Sequence, residues 1–199
     1  MSTQLTHKGS LEVICGPMFS GKSEELIRRI RRAKIARQGV ATFKHHFDNR
    51  HDVSCVVSHD GNKLNAQPID QVESIAKIAM HPDIHVVGID EVQFFPNQIV
   101  SIVLDLVDSG KRVIVAGLDL DFRGIPFGCM PALMAVADSV SKLEAICSIC
   151  GHNAHFSQRL INEKPARYDD PIIMIGAQEA YQARCRTCFS IDRKPCFHE

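Results

Sequence analysis

The 199-residue sequence has no excess of either charge: Lys plus Arg and Asp plus Glu number 23 each, so net charge is zero with histidine neutral. A large nucleic-acid surface needs a basic surplus to displace counterions from phosphates, and none is present. Nor is there a long uncharged apolar run, so no membrane span is expected. Residues 1–9 carry no apolar signal-peptide core, and the expected location is cytoplasmic. Internal repeats and low-complexity segments are also missing, and the 45% hydrophobic share is that of an ordinary globular chain. In such a compartment the eight cysteines point to metal binding or packing rather than to a disulfide framework.

What the chain does have is a complete G-x-x-x-x-G-K-[ST] loop at Gly16, Pro17, Met18, Phe19, Ser20, Gly21, Lys22 and Ser23. It follows a short apolar run at 11–15 and opens a strongly helical stretch. The glycines let successive backbone N–H groups face a phosphate, and the helix adds its positive end. Lys22 supplies a point charge for the β- and γ-phosphates, and the Ser23 hydroxyl can hold Mg²⁺. A nucleoside triphosphate is therefore the first expected ligand.

Around the loop, strands and helices alternate. Residues 11–15 read as a buried strand. Residues 23–38 read as a helix, with Leu26, Ile27, Ile30, Ala33 and Ile35 near a 3.6-residue period and Gly39 as its stop. Its other face carries Arg28, Arg29, Arg31, Arg32, Lys34 and Arg37, a stripe suited to solvent, a subunit contact or nucleic acid. Strands are expected at 40–44, 54–58, 84–89, 112–116 and 140–146, with a loop at 45–52. Helices are expected at 72–81, 98–108 and 131–137. Long helices between strands imply a mainly parallel α/β core. After residue 146 the composition turns to Cys, His and Pro, which sets a boundary between units 1–146 and 147–199.

The apolar strand at 84–89 ends in Asp90 and Glu91. In phosphate-loop enzymes such a strand is expected beside the loop strand, its first acid reaching Mg²⁺ through water. Glu91 then stands where a general base must be, and the base could serve either water or a substrate alcohol. Gln93, Phe94 and Phe95 add an amide and two rings, which suit a planar heterocycle; one of the rings could equally belong to the core. Farther on, Cys147-x-x-Cys150 and Cys185-x-x-Cys188 offer four thiolates for a tetrahedral, closed and hence structural Zn²⁺ site. The 34 residues between the pairs make the intervening loop an object in itself. Cys15, Cys55, Cys129 and Cys196 have no such pairing and read as packing residues.

Together these motifs resemble the type II thymidine kinase family. The resemblance rests on GPMFSGKS at 16–23, FDNR at 47–50, IDEVQFF at 89–95, residues 118–128, and the CSIC and CRTC pairs. It implies a P-loop NTPase (RecA-like) core, a mainly parallel sheet with helices on both faces, and a small zinc-binding lasso domain closing over the nucleoside. The implied reaction moves the γ-phosphoryl of ATP to the 5′-hydroxyl of thymidine, with Glu91 as the base. By the same resemblance Lys22, Ser23 and Asp90 serve phosphate and Mg²⁺, and Asp48, Asn49 and Arg50 lie near the phosphates. Met18, Leu118, Phe122 and Phe127 match the apolar wall around the base, with Gln93 near the nucleoside. Ile172, Ile173, Met174, Ile175 and Gly176 match the loop whose backbone reads thymine, and Tyr181 the residue packed over the nucleoside. A homotetramer inhibited by dTTP is also implied. Val92 departs from the small Ala common in the family, and His51 from an aromatic. The competing expectation is an ATPase with a zinc-ribbon nucleic-acid module; a nucleotide-gated regulator with an idle Glu91 is a third.

Overall fold

The computed structural model describes residues 8–45, 55–57, 63–172 and 179–192. The first apolar run forms β1 (Ser10–Cys15), and the glycine-rich loop leads into α1 (Lys22–Ile35). β2 (Val40–His45) follows, then a short antiparallel hairpin of β3 (Cys55–Val57) and β4 (Lys63–Asn65). Next come β5 (Gln67–Ile69), α2 (Val72–Ala79) and β6 (Val86–Asp90). A 3₁₀ turn at Val92–Phe94 precedes α3 (Ile99–Asp108), β7 (Arg112–Gly117), α4 (Met130–Val136) and β8 (Ser139–Lys142). The remainder is β-rich: β9 (Ala145–Ile146), β10 (Asn153–Ala154), β11 (Phe156–Ile161), β12 (Lys164–Pro165) and β13 (Glu179–Arg184).

Six strands make one parallel sheet in the order β5-β2-β6-β7-β1-β8. Its near-continuous apolar strands are covered on both sides, as a parallel sheet requires. One face packs Leu26, Ile27, Ile30 and Ala33 of α1 against Ile14, Val86 and Ile114. The other packs α2, α3 and α4 through Ile75, Val103, Leu106 and Leu133 against Val13, Phe43, Val87 and Val115. The expected α/β architecture with helices on both faces is what forms. No helix among the described residues is long and apolar enough to cross a membrane.

Three expectations need correction. The acid-bearing β6 does not lie beside the loop strand β1; β7 stands between them and pairs with both. The strand expected over 140–146 is two strands: β8 joins the main sheet, whereas β9 turns away to pair with β10. Helix α1 stops short of Gln38 because Arg37 adopts the left-handed conformation, φ 57. The Arg37 N–H reaches Lys34 O at 2.9 Å and the Gln38 N–H reaches Ala33 O at 3.1 Å, the paired bonds of a Schellman ending. Ile35, the last residue of the helix, stands five positions from Ile30 and so falls off the face of Leu26, Ile27, Ile30 and Ala33; it stays 81% exposed.

Helix α1 is also tied to the sheet by charge. Glu12 on β1 accepts from Arg29 Nη1 at 2.8 Å and Arg112 Nε at 2.6 Å, and Arg29 Nε donates to Glu25 at 2.8 Å. Arg29 thus leaves the solvent stripe that its spacing suggested, while Arg28, Arg31, Arg32, Lys34 and Arg37 remain exposed. Burial raises the Glu12 pKa, but the guanidinium groups of Arg112 and Arg29 outweigh it and hold the carboxyl below its ordinary value. Such a depressed carboxylate stabilises the fold above its unfolded pKa of about 4.3 and loses that contribution as pH falls through the lower folded value. Glu12→Gln is accordingly expected to cost about 1–2 kcal/mol at pH 7, the network being partly screened by solvent. Urea unfolding should show that gap closing in acid below pH ~4; a gap that stays constant there removes the charge argument.

Candidate active site and zinc centre

The phosphate loop is shaped by backbone that only certain residues permit. Gly16 has φ 145, and a Cβ there would lie 2.4 Å from Leu143 O. Phe19 and Gly21 also take positive φ, which turns the chain sharply ahead of α1. Ser20 Oγ donates to Pro17 O at 2.8 Å, and Lys22 Nζ donates to the same carbonyl at 2.6 Å. The lysine is therefore folded back over the loop it belongs to. Met18 N–H donates to Ser157 Oγ at 2.9 Å, which fixes the loop to β11, a strand 139 residues away in sequence.

The carboxylates meet the loop despite the intervening strand. Ser23 Oγ donates to Asp90 Oδ2 at 3.0 Å, so the hydroxyl and acid expected at Mg²⁺ are in contact. A hard cation takes oxygen ligands of this type, so the pair fits Mg²⁺ chemically. The other oxygen, Asp90 Oδ1, accepts the Glu91 N–H at 3.0 Å. Glu91 itself has φ 51, a left-handed turn for a residue with a side chain, and such backbone strain clusters at functional positions. Gln93 Nε2 donates to Glu91 Oε2 at 2.5 Å while Gln93 Oε1 accepts the Leu118 N–H at 3.0 Å. Gly117 makes room for that amide: a Cβ there would lie 2.6 Å from Gln93 Oε1.

Aromatic rings continue the wall. Phe94 meets Phe127 edge-on at 5.6 Å and lies 6.1 Å from the His45 ring. Phe95 is the ring that belongs to the core, 3% exposed and packed with Ile99 and Val103. Val92 is wholly buried in that same core, so its difference in size from Ala is taken up away from Glu91. Residues 118–128 form a tight turn in which Asp121 N–H donates to Ile125 O and Phe127 N–H donates to Asp119 O. That turn presents Phe122, which the Arg159 guanidinium covers at 3.6 Å from the ring centroid. Tyr181 is the ladder partner of Arg159 across β11 and β13. Asp48, Asn49, Arg50 and His51, and likewise Ile173, Met174, Ile175 and Gly176, lie outside the described residues.

The four cysteines of the two C-x-x-C pairs converge, their sulfurs all within 4.8 Å of one another. Cys150 Sγ lies 3.6 Å from Cys185 Sγ and 3.6 Å from Cys188 Sγ. Disulfide sulfurs would be about 2.05 Å apart. A tetrahedron with Zn–S bonds of about 2.3 Å has edges near 3.8 Å, so the spacing fits zinc. The thiols also perturb one another. Burial raises the Cys147 pKa, but backbone N–H groups of Cys185, Ile149 and Cys150 outweigh it and bring it down to about 6. Bonds from Cys150 and Cys185 push Cys188 up to about 12. So dense a set cannot ionise together without a cation. Cys15 and Cys129 are buried thiols apart from this cluster, and burial raises both to about 11.

Two residues at the site carried no signal in the sequence: Ser157 and Arg159. They stand two apart on β11, on one face of the strand, and match no motif. Their partners, Met18 and Phe122, are reached only through the fold. Comparison with known proteins agrees with the motifs. The family model described as thymidine kinase matches residues 9–189. A thymidine kinase of Coprothermobacter proteolyticus (strain ATCC 35245 / DSM 5265 / OCM 4 / BT) is 56% identical over 181 residues, which cover 91% of this chain and 90% of that protein. With a matching model over most of its length and a relative of that identity, the chain belongs to the thymidine kinase family.

Proposed function

We propose that this chain is a thymidine kinase that transfers the γ-phosphoryl group of ATP to the 5′-hydroxyl of thymidine, and of deoxyuridine, in deoxynucleoside salvage. One observation carries the reading beyond family membership. An unbroken run of hydrogen bonds joins Ser23 to Asp90, Asp90 to Glu91, Glu91 to Gln93, and Gln93 to Leu118. It links a phosphate loop at one end to an aromatic wall at the other, with the Asp90 and Glu91 carboxylates between them. A substrate bridging those ends has a phosphate acceptor next to Glu91 and a planar ring near Phe94, Leu118 and Phe127.

In this reading Lys22 swings from Pro17 O onto the β- and γ-phosphates, and the loop N–H groups bind the oxygens. Ser23 and Asp90 would hold Mg²⁺, which would supply neutralisation of charge on the phosphate oxygens. Glu91 Oε accepts the 5′-hydroxyl proton late in the transfer, because the transition state is loose and a weak base suffices. Gln93 orients Glu91 by its N–H and keeps its own carbonyl fixed on Leu118. Arg50, with Asp48 and Asn49, would lie near the transferred group. The backbone of 172–176 would read the thymine edge while the zinc centre holds the ends of that loop. Residues 1–146 then form the ATP-binding unit and 147–199 the unit over the nucleoside. A cytoplasmic homotetramer subject to dTTP feedback follows from the same family reading.

Release of ADP from ATP should rise with thymidine and deoxyuridine, and stay at background with deoxycytidine and deoxyguanosine. Turnover with deoxycytidine alone would overturn the base specificity and leave a kinase. ATP hydrolysis stimulated by DNA, with no nucleoside phosphorylated, would replace this reading by the nucleic-acid ATPase that the exposed Arg28, Arg31 and Arg32 allow.

A further inference from the structure

We propose that Arg159 is a positioning residue for the nucleoside: its guanidinium and its strand hold together residues from three elements around the base. The inference rests on the thymidine kinase reading above, and it concerns a residue that no motif marks.

Arg159 is fully buried on β11, the largest side chain among the described residues to be so. A buried cation is tolerated only where its N–H groups and charge find partners. Here they are specific. The guanidinium carbon sits 3.6 Å above the centre of the Phe122 ring, close enough for a cation–π contact in a desolvated site. Nη1 donates to Pro171 O at 2.7 Å and reaches Ile172 O at 3.3 Å. Across the ladder, Arg159 stands opposite Tyr181. Phe122, Ile172 and Tyr181 come from the 118–128 turn, the stretch after β12, and β13. All three are proposed to face the nucleoside, and one side chain with its strand joins them.

The chemistry of the contacts explains the residue type. A planar guanidinium can stack on a ring while its edge donates to carbonyls in the same plane. A lysine ammonium is a compact point charge with no plane to stack, so it can satisfy the carbonyls or the ring but not both geometries. Positioning of this kind acts on the nucleoside more than on the triphosphate, because the guanidinium contacts are to Phe122, Pro171 and Ile172, whereas β11 meets the phosphate loop through Ser157.

Steady-state kinetics of Arg159→Lys and Arg159→Met, with zinc content measured on each, tests the assignment. The expected result is a thymidine KM raised about 10-fold or more, with ATP KM within about 2-fold of wild type and zinc retained. Phe122→Leu is expected to raise thymidine KM too, and its effect combined with Arg159→Lys should fall short of the product of the single effects. The Lys and Leu variants decide the matter if the Met variant does not fold. Parallel rises in both KM values, loss of zinc, or an unchanged thymidine KM would each overturn the assignment. A wild-type chain that phosphorylates no thymidine would overturn the underlying function as well; an active wild type with unmoved variants overturns Arg159 alone.

Discussion

Glu91→Gln is expected to lower kcat by about 10²- to 10⁴-fold, the span removed with a general base, while ATP affinity stays near wild type. The substitution is nearly isosteric, and its carbonyl oxygen can still accept from Gln93 Nε2, so the side chain keeps its orientation. What it loses is the ability to take a proton. Binding of ATP should be spared because Lys22 Nζ bonds Pro17 O and the Ser23 hydroxyl bonds Asp90, so both are held by groups other than the Glu91 carboxylate. Steady-state turnover with saturating thymidine, paired with equilibrium binding of ATP, separates the two effects. Turnover close to wild type would remove Glu91 as the base. An equal loss of ATP affinity would recast it as a structural acid of the phosphate site. The companion Gln93→Leu should give a smaller loss, because it leaves the carboxylate in place but unheld.

What could be read from sequence was the chemistry that demands neighbours in the chain. The phosphate loop, the Asp90–Glu91 pair and the two C-x-x-C turns each need their residues within a few positions of one another. Strand order obeys no such rule. β7 enters between β1 and β6, yet Asp90 still meets Ser23, because both lie at the same end of the sheet and on the α1 face. Nothing local in residues 140–146 marks where the chain leaves one sheet for another. Arg29 looked like part of an exposed stripe because its partner, Glu12, is on a different element. Ser157 and Arg159 were invisible for the same reason: Met18 lies 139 residues from Ser157, and the pairing exists only once β11 lies against the phosphate loop.

Removal of the metal has the second large expected effect, on stability and on nucleoside binding together. The cysteine turns are held by a few backbone bonds: Cys147 N–H to His152 O at 2.8 Å, Ser148 N–H to Ala183 O at 3.0 Å, and Phe189 N–H to Cys185 O at 2.9 Å. Among the described residues the cluster packed around the turns is small: Ala145, Ala154 and Ala183 with Cys147 and Cys185 themselves. With so little apolar surface around the two turns, a bound metal is expected to supply part of their folding free energy. β11 follows the first turn by way of β10 and β13 runs directly into the second, and they carry Arg159 and Tyr181. Chelation should therefore lower the melting temperature and raise thymidine KM about 10-fold or more, since misplacement by an ångström is that costly. ATP KM should rise less, through the Met18–Ser157 bond. Cys150→Ser is the cleaner variant, because Cys150 is exposed whereas Cys147 is buried and its replacement would also disturb packing. Zinc content, melting and both KM values should move together in that variant and recover in the wild type when zinc is restored. Metal-free protein that binds thymidine as tightly as before would mean that the loop between the cysteine pairs holds its shape without the clamp. The coupling between a metal remote from the phosphates and the choice of nucleoside would then be lost.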